Sequence, residues 1–361
     1  MTPRLPDFPW DRLGPAAARA RQHSDGIVDL SVGTPVDPTP EFIRDALAAA
    51  SDAPGYPLTA GSEQLRSAAA GWLRHRFGAD IEVTGVLPAI GTKELVAWLP
   101  TLLGARSVGL PDLAYPTYDV GALLAAATPR RVPSLTLLGP ERLDLLWINS
   151  PSNPTGGVLP PEHLRKVVDW ARERGTVVAS DECYADIWYD GDPPASVLSP
   201  DVCRASHDGL LAVHSLSKRS NLAGYRAGFV AGDPTLIARL HEVRKHAGMI
   251  VPAPIQAAMV AALQDDEHVG VQRERYAKRR ALLSAAFTSA GFAVDQSEAG
   301  LYLWVSRREP CWQTVDTLAD LGILVAPGEF YGPPGAMHVR VALTATDERV
   351  AAAVARLGSL G

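Results

Sequence analysis

From Ser62 onward, short apolar runs alternate with longer stretches in which apolar residues return every three or four positions. "SEQLRSAAAGWLRHRFG", residues 62–78, has that helical spacing and closes on Gly78. "VLPAI" precedes "KELVAWLPTLLG", "SVGLP" precedes "YDVGALLAAA", and "LDLLWINS" precedes "PPEHLRKVVDWARERG". "TVVASDE" and "LLAVHS" continue the series. Continuous apolar runs bounded by turn residues predict strands buried on both faces. The stretches between them predict helices. In one, Leu164, Val167, Val168 and Ala171 share a face, Pro160 and Pro161 stand at the start, and Gly175 falls just past the end. The alternation predicts an α/β fold whose mostly parallel sheet is covered by helices on both faces.

The pattern changes towards both ends. Residues 1–44 are Pro-rich and irregular and predict an arm that joins the small domain, with 45–248 as the large domain. After Pro252 and Pro254, a long helical stretch runs through "RERYAKRRALLSAAFTSAG". "FAVDQ", "GLYLWVS" and "AMHVRVAL" then read as strands, with helices around "WQTVDTLADLG" and "DERVAAAVARLG". Residues 249–361 therefore predict a smaller α+β domain.

Composition narrows the function classes. A chain of 361 residues exceeds one hydrophobic core, and 47% apolar with 20% charged residues argues for folded domains rather than disorder. The net charge of −6 argues against a nucleic-acid partner. Three widely spaced cysteines give no disulfide framework and suit a reducing, cytoplasmic setting. No apolar run approaches the roughly 18 residues of a membrane span. The nine histidines show no metal spacing. His214 reads as a packed strand-end residue, Trp98, Trp147 and Trp304 as core, and "ARERG", "YAKRR" and "VSRREP" as solvated charge runs. Trp10 in the arm reads as a cover for a partner or a substrate entrance.

In open α/β sheets, ligands bind beyond the carboxyl ends of the strands. Four strand ends carry candidate chemistry. "GTKELV" places Gly91 and Thr92 at a helix start, either a simple capped turn or an anion site. Asn153 in "PSNPTGG" is either a turn former or a fixed amide donor. Asp181 ends a buried strand, where a carboxylate needs a cation or a donor, and Tyr184 follows. Lys218 in "SLSKRSNLAGYR" follows an apolar strand, and desolvation there frees an amine for attack on a carbonyl. Ser215 and Arg226 flank it, and Gly224 and Gly228 read as the turn that joins them. Together these groups suit one cofactor. Gly91, Thr92, Ser215 and Arg226 suit a phosphate, Lys218 an aldehyde, Asp181 a protonated ring nitrogen, and Asn153 with Tyr184 a phenolate. Those four features belong to pyridoxal 5′-phosphate.

The segments "VGTPVDPTP", "YPLTAGSEQLR", "GTKELV", "AYPTYD", "NSPSNPTGG", "SDECYADI", "SLSKRSNLAGYRAGF" and "MHVRVAL" occur in an order and spacing that resembles the class I/II aminotransferases, of pyridoxal-phosphate fold type I. The resemblance covers nearly the whole chain. It implies that Lys218 carries the cofactor and shuttles the proton, that Asp181 partners the ring nitrogen, and that Asn153 and Tyr184 serve the ring oxygen. It implies that Tyr115 stacks on the ring and that Thr92, Lys93, Ser215 and Arg226 bind phosphate. It further implies that Arg340, Gly33 and Asn153 contact the substrate. Tyr56 resembles a residue that reaches the phosphate of a neighbouring subunit, implying a homodimer.

"RLPDFPWDRL", "IVDLSVGTPVDPTP" and "DAPGYPLTAG" are similar to actinobacterial N-succinyldiaminopimelate aminotransferases. That resemblance implies exchange of an amino group between N-succinyl-LL-2,6-diaminopimelate and 2-oxoglutarate, with glutamate as the physiological donor, in lysine and diaminopimelate biosynthesis. Alternatives are an aspartate- or aromatic-type aminotransferase, a C–S lyase, or a pyridoxal-phosphate-binding regulator. No helix-turn-helix precedes the domain, which counts against the last.

Overall fold

The apolar runs assemble into a seven-stranded sheet. The structure, a computed structural model, describes residues 5–134 and 142–360. The strand order is Val86–Ile90, Ala227–Gly232, Leu210–Ser215, Val177–Asp181, Leu145–Asn149, Ser107–Pro111 and Thr128–Val132. Ala227–Gly232 runs antiparallel to both its neighbours, and every other adjacent pair is parallel. Successive side chains point to opposite faces. Leu146 and Ile148 enter a core cluster with the helices Glu63–Phe77 and Pro161–Arg174. Leu145 and Trp147 enter a second cluster with Thr92–Leu103, Thr117–Leu124 and Pro234–Ala247. This two-sided burial is why the strand sequences are continuously apolar.

Two strands differ from expectation. Gly228 reads as part of a turn with Gly224, yet it lies inside the strand Ala227–Gly232. A Cβ at Gly228 would stand 3.0 Å from both the His214 carbonyl oxygen and Thr92 Cγ2, so the glycine lets the helix start at Thr92 lie close to the sheet. Thr128–Val132 is polar and carries Pro129, which its edge position tolerates.

A second, antiparallel sheet has the order Ala326–Pro327, Val339–Ala342, Tyr302–Ser306, Ala293–Asp295. Its hydrophobic cluster also takes Leu13, Ala16, Ala17 and Ala20 from the N-terminal segment. That segment is less irregular than its prolines suggest, since Gly14–Ala20 is helical and Val28–Asp29 pairs in parallel with Ile323–Leu324. Arg12 pins it further, with a 2.6 Å ion pair to Glu329.

Packing also moves the expected boundary after residue 248. The helix Ala253–Leu263 buries Ala258, Met259 and Ala262 with Ile43 and Leu73 in the large-sheet cluster, so the change of core falls after Leu263. Its apolar face is complementary to the large body, and sequence spacing does not specify which body a helix joins. Arg279, from the charge run "YAKRR", is buried and holds Asp37 through two 2.7 Å bonds and Asp347 through a third. Trp147 and Trp304 are core residues, but Trp98 is 38% exposed, on the outer face of its helix. Among the described residues no helix is long and apolar enough to cross a membrane.

Candidate active site

Asn149, Asp181 and Ser215 end three successive parallel strands, and register places Asn149 beside Asp181 and Asp181 beside Val213. Their side chains therefore emerge at one sheet edge, where the helix Thr92–Leu103 also begins. A cavity of about 660 Å³ opens there. Thr92, Lys93, Tyr115, Asn153, Asp181, Tyr184, Ser215, Lys218 and Arg226 line it from the large sheet, and Gly33 and Arg340 from the second body. Of the residues expected to contact cofactor or substrate, only Gly91 and Tyr56 are not lining. Gly91 lies directly beneath. Its φ of +70° requires glycine, and a Cβ would collide with the Arg226 guanidinium. Tyr56 is 99% exposed and does not line its own chain's cavity.

One end of the cavity is a donor cradle. Thr92 starts its helix with free N–H groups, and Ser215, Ser217 and Arg226 converge on the same region. The Ser215 hydroxyl accepts from the Ser217 N–H at 3.1 Å, capping the turn Leu216–Arg219 that presents Lys218. Arg226 and Asn221 both hold left-handed backbone conformations, at φ 55° each, an observed strain concentrated around the lysine. Lys93 sits at the exposed rim, its Nζ 5.3 Å from the Phe8 ring centroid.

The middle of the cavity holds the titratable groups. The Lys218 amine donates to the Gly33 carbonyl. Burial lowers its pKa from the ordinary lysine value. Asp181 is buried, and desolvation raises its pKa although donors oppose the rise. Those donors are the Cys183 side chain, the Tyr118 hydroxyl at 2.7 Å and the Cys183 N–H at 3.2 Å. Tyr115 is half-buried with its phenol pushed up by burial, and it meets Tyr118 edge-on at 6.0 Å. Asn149 fixes the turn beyond its strand, accepting from the Asn153 N–H at 2.7 Å and donating to the Asp181 carbonyl at 2.9 Å.

The far end is cationic. Arg340 is 2% exposed and donates to Asn153 Oδ1 at 2.9 Å and to the Ser31 carbonyl at 2.7 Å. Both partners are neutral, its Nε–H has none among the described residues, and the Tyr302 ring lies 3.9 Å from its Cζ. A buried guanidinium without a carboxylate is an incomplete arrangement that an anionic ligand would complete. Trp10 lines the same cavity, 5.9 Å from Arg340, against Phe330 and Tyr331.

Sequence reasoning placed Ser217 beside Ser215 and Arg226 as a phosphate donor, but did not foresee Tyr118, Asn149 or Tyr302. Asn149 closes an apolar strand, a legible signal of the same kind as Asp181. Tyr118 and Tyr302 lie in apolar patterns where nothing local separates a functional phenol from packing. The arrangement can hold an anion at one end and a carboxylate at the other, with a nucleophilic amine and a buried carboxylate between.

Comparison with known proteins agrees. The family described as aminotransferase class I and II matches residues 25–357. A probable aminotransferase of Mycobacterium tuberculosis is 64% identical over 98% of this chain and 85% of its own length. The 4-dedimethylamino-4-oxo-anhydrotetracycline transaminase OxyQ of Streptomyces rimosus is 60% identical over 98% and 99%. The solved structure of a probable N-succinyldiaminopimelate aminotransferase from Thermus thermophilus superposes with a TM-score of 0.89 at 28% identity, over 98% of this chain and 100% of that one.

Proposed function

The chain belongs to the class I and II aminotransferases, and we propose that it transfers the amino group between N-succinyl-LL-2,6-diaminopimelate and 2-oxoglutarate. The cofactor of this family is pyridoxal 5′-phosphate, and the cavity suits it. The donor cradle of Thr92, Ser215, Ser217 and Arg226 matches a phosphate, and the glycine at 91 leaves room for Arg226 above the helix start. Bound there, the cofactor supplies an aldehyde for amines and a ring that draws electrons from the α-carbon.

The chain's own residues divide the remaining work. Lys218 anchors the cofactor, and its lowered pKa leaves an amine able to take and return the α-proton. Asp181, held by Tyr118, retains a proton on the ring nitrogen through its negative charge. Tyr184 and Asn153 donate to the ring oxygen, and Tyr115 stacks on the ring. Gly91, Thr92, Lys93, Ser215 and Arg226 hold the phosphate, with Tyr56 reaching in from a second copy. Arg340 and the Gly33 backbone orient the substrate α-carboxylate, with Asn153 steadying the guanidinium.

The observation that carries this reading is the buried Arg340, with only neutral partners among the described residues, facing the same cavity as Lys218. The diaminopimelate substrate is supported by the resemblance of the N-terminal motifs and by the likeness to the Thermus thermophilus structure. The test is a panel of amino donors at fixed 2-oxoglutarate, read as glutamate formed. N-succinyl-LL-2,6-diaminopimelate should exceed unacylated diaminopimelate, aspartate and phenylalanine by about tenfold or more in kcat/KM. Equal or better use of any of these rejects the substrate, and pyruvate with ammonia from cystathionine, independent of an oxo acid, rejects transamination. The 60% identity to OxyQ favours a second reading, in which a polycyclic ketone accepts the amino group. Glutamate-dependent amination of 4-dedimethylamino-4-oxo-anhydrotetracycline, faster than of the succinylated oxo acid, would select it.

A further inference from the structure

Tyr302 touches three working groups at once. It begins the strand Tyr302–Ser306, beside Val339–Ala342, which carries Arg340. Arg340 Cζ lies over its ring, 3.9 Å from the centroid. Its hydroxyl is 3.3 Å from the Tyr184 hydroxyl. On its third side, a Cβ placed on Gly33 would run into the Tyr302 phenol, so the backbone that receives the Lys218 amine packs directly against it.

We propose that Tyr302 is a positioning residue of this reaction centre, its hydroxyl donating to Tyr184 and its ring holding the guanidinium of Arg340. The direction of donation follows from proton count. A phenol has one proton, so a Tyr184 that donates to the cofactor oxygen has only acceptor capacity left, and Tyr302 is the donor within reach. Donation into a phenol that is itself donating strengthens the second bond. The charges facing Tyr302 favour this role. Burial alone would raise its pKa, but the Arg340 and Lys218 cations, together with the Tyr184 hydrogen bond, bring it below the ordinary value, and the two cations draw on its proton whichever hydroxyl donates. The other titratable neighbours are Cys183, Tyr115, Tyr276, Tyr331 and Tyr184 itself, none of which supplies a cation.

This inference rests on the assignment of Tyr184 above, and the test separates the two. The holoenzyme is titrated without substrate, reading the pH midpoint of the bound cofactor's visible absorption. The deprotonated form leaves the cofactor oxygen as a bare anion that needs donors, so losing a donor raises the midpoint. Tyr184→Phe should raise it most, and Tyr302→Phe by a smaller step of about half a unit. Tyr302→Phe keeps the ring under Arg340, so KM for the amino donor should stay within about twofold, whereas Tyr302→Leu should raise it about tenfold. Gly33→Ala supplies an independent arm, because its methyl group displaces the phenol and should also raise the midpoint. A midpoint that Tyr302→Phe leaves unmoved or lowers, while Tyr184→Phe raises it, overturns the hydroxyl role. Equal KM in the Phe and Leu variants overturns the ring role. If Tyr184→Phe itself moves nothing, the assignment of Tyr184 fails instead.

Discussion

Asp181 is buried at a strand end, no cation pairs with it among the described residues, and Tyr118 and Cys183 donate to it. Tyr118 provides the shorter bond, and its ring also stacks on Trp147 at 5.0 Å. Tyr118→Phe keeps the stack and removes the donor. Burial already raises the Asp181 pKa, and the Tyr118 hydroxyl is one of the groups that lowers it, so its loss raises the pKa further. In the role proposed for it, Asp181 must be ionised to hold a proton on the ring nitrogen. The acid limb of the kcat/KM profile should therefore move up by about one pH unit, the size expected for a hydrogen bond to a charged group. A profile superposable on wild type would mean that Tyr118 only fills space. The contrast between these two residues shows what a sequence discloses about a site. Asp181 is conspicuous because a carboxylate closing an apolar run violates the pattern around it. Tyr118 and Tyr302 violate nothing, since an aromatic residue in a buried helix or strand is what packing alone would select, and their hydroxyl partners come from segments 63 and 118 positions away.

At the scale of elements, the ends of neighbouring strands also bury a pair that the chemistry does not use. His214 in Leu210–Ser215 is enclosed by Trp72 at 5.0 Å, Phe229 at 5.2 Å and Phe77 at 5.6 Å. Glu182, just beyond Val177–Asp181, accepts from the Val197 N–H at 2.9 Å, and its other oxygen lies 3.5 Å from His214 Nε2. Desolvation pulls His214 down to about 3 and pushes Glu182 up to about 7. The two act on stability in opposite directions. Between pH 3 and 6.5 the unfolded chain binds a proton at His214 that the folded chain refuses, so stability rises with pH. Between pH 4.5 and 7 the folded chain keeps a proton on Glu182 that the unfolded chain releases, so stability falls with pH. Glu182→Gln removes only the second effect. Its stability relative to wild type should climb by up to about 3 kcal/mol over that interval, measured by denaturant unfolding of the holoenzyme at several pH values. Parallel curves for the two proteins would show that Glu182 is ionised throughout. The strands that bring these groups together were legible from their apolar runs, as were the helices between them. The antiparallel Ala227–Gly232 was not, because Gly228, which serves close packing against Thr92, reads as a turn residue. Nor was the allegiance of Ala253–Leu263, since a helix with little polar surface can be claimed by either body and only the contacts with Ile43 and Leu73 decide it.

At the scale of the whole molecule, a single chain leaves one expected site residue unused. Tyr56 is fully exposed on the segment between Glu41–Ala49 and Glu63–Phe77, with exposed Leu58 beside it. A large aromatic side chain standing free in water has nothing to gain there, and apolar groups so displayed commonly mark an interface. In a two-fold dimer the same patch lies on both copies, so each chain would both give and receive a Tyr56. The donor cradle around Arg226 is the place where its hydroxyl would act, as one more donor to an anion. Complementation tests this without relying on size alone. Lys218→Ala removes the amine, and Tyr56→Ala removes the donated phenol. If sites are shared, a mixed dimer of the two variants contains one site with both groups intact and one with neither. At a cofactor concentration that saturates wild type but leaves the Tyr56→Ala homodimer largely empty, co-refolded or co-expressed mixtures, purified through a different tag on each chain, should recover about half of wild-type activity per dimer, while the Lys218→Ala homodimer stays about three orders of magnitude down. The Tyr56→Ala homodimer should lose cofactor affinity by about tenfold, the worth of one hydrogen bond to a charged group. A mixed dimer no more active than the mean of its parents would show that each chain builds its site alone. Tyr56 would then have to be explained by some other surface.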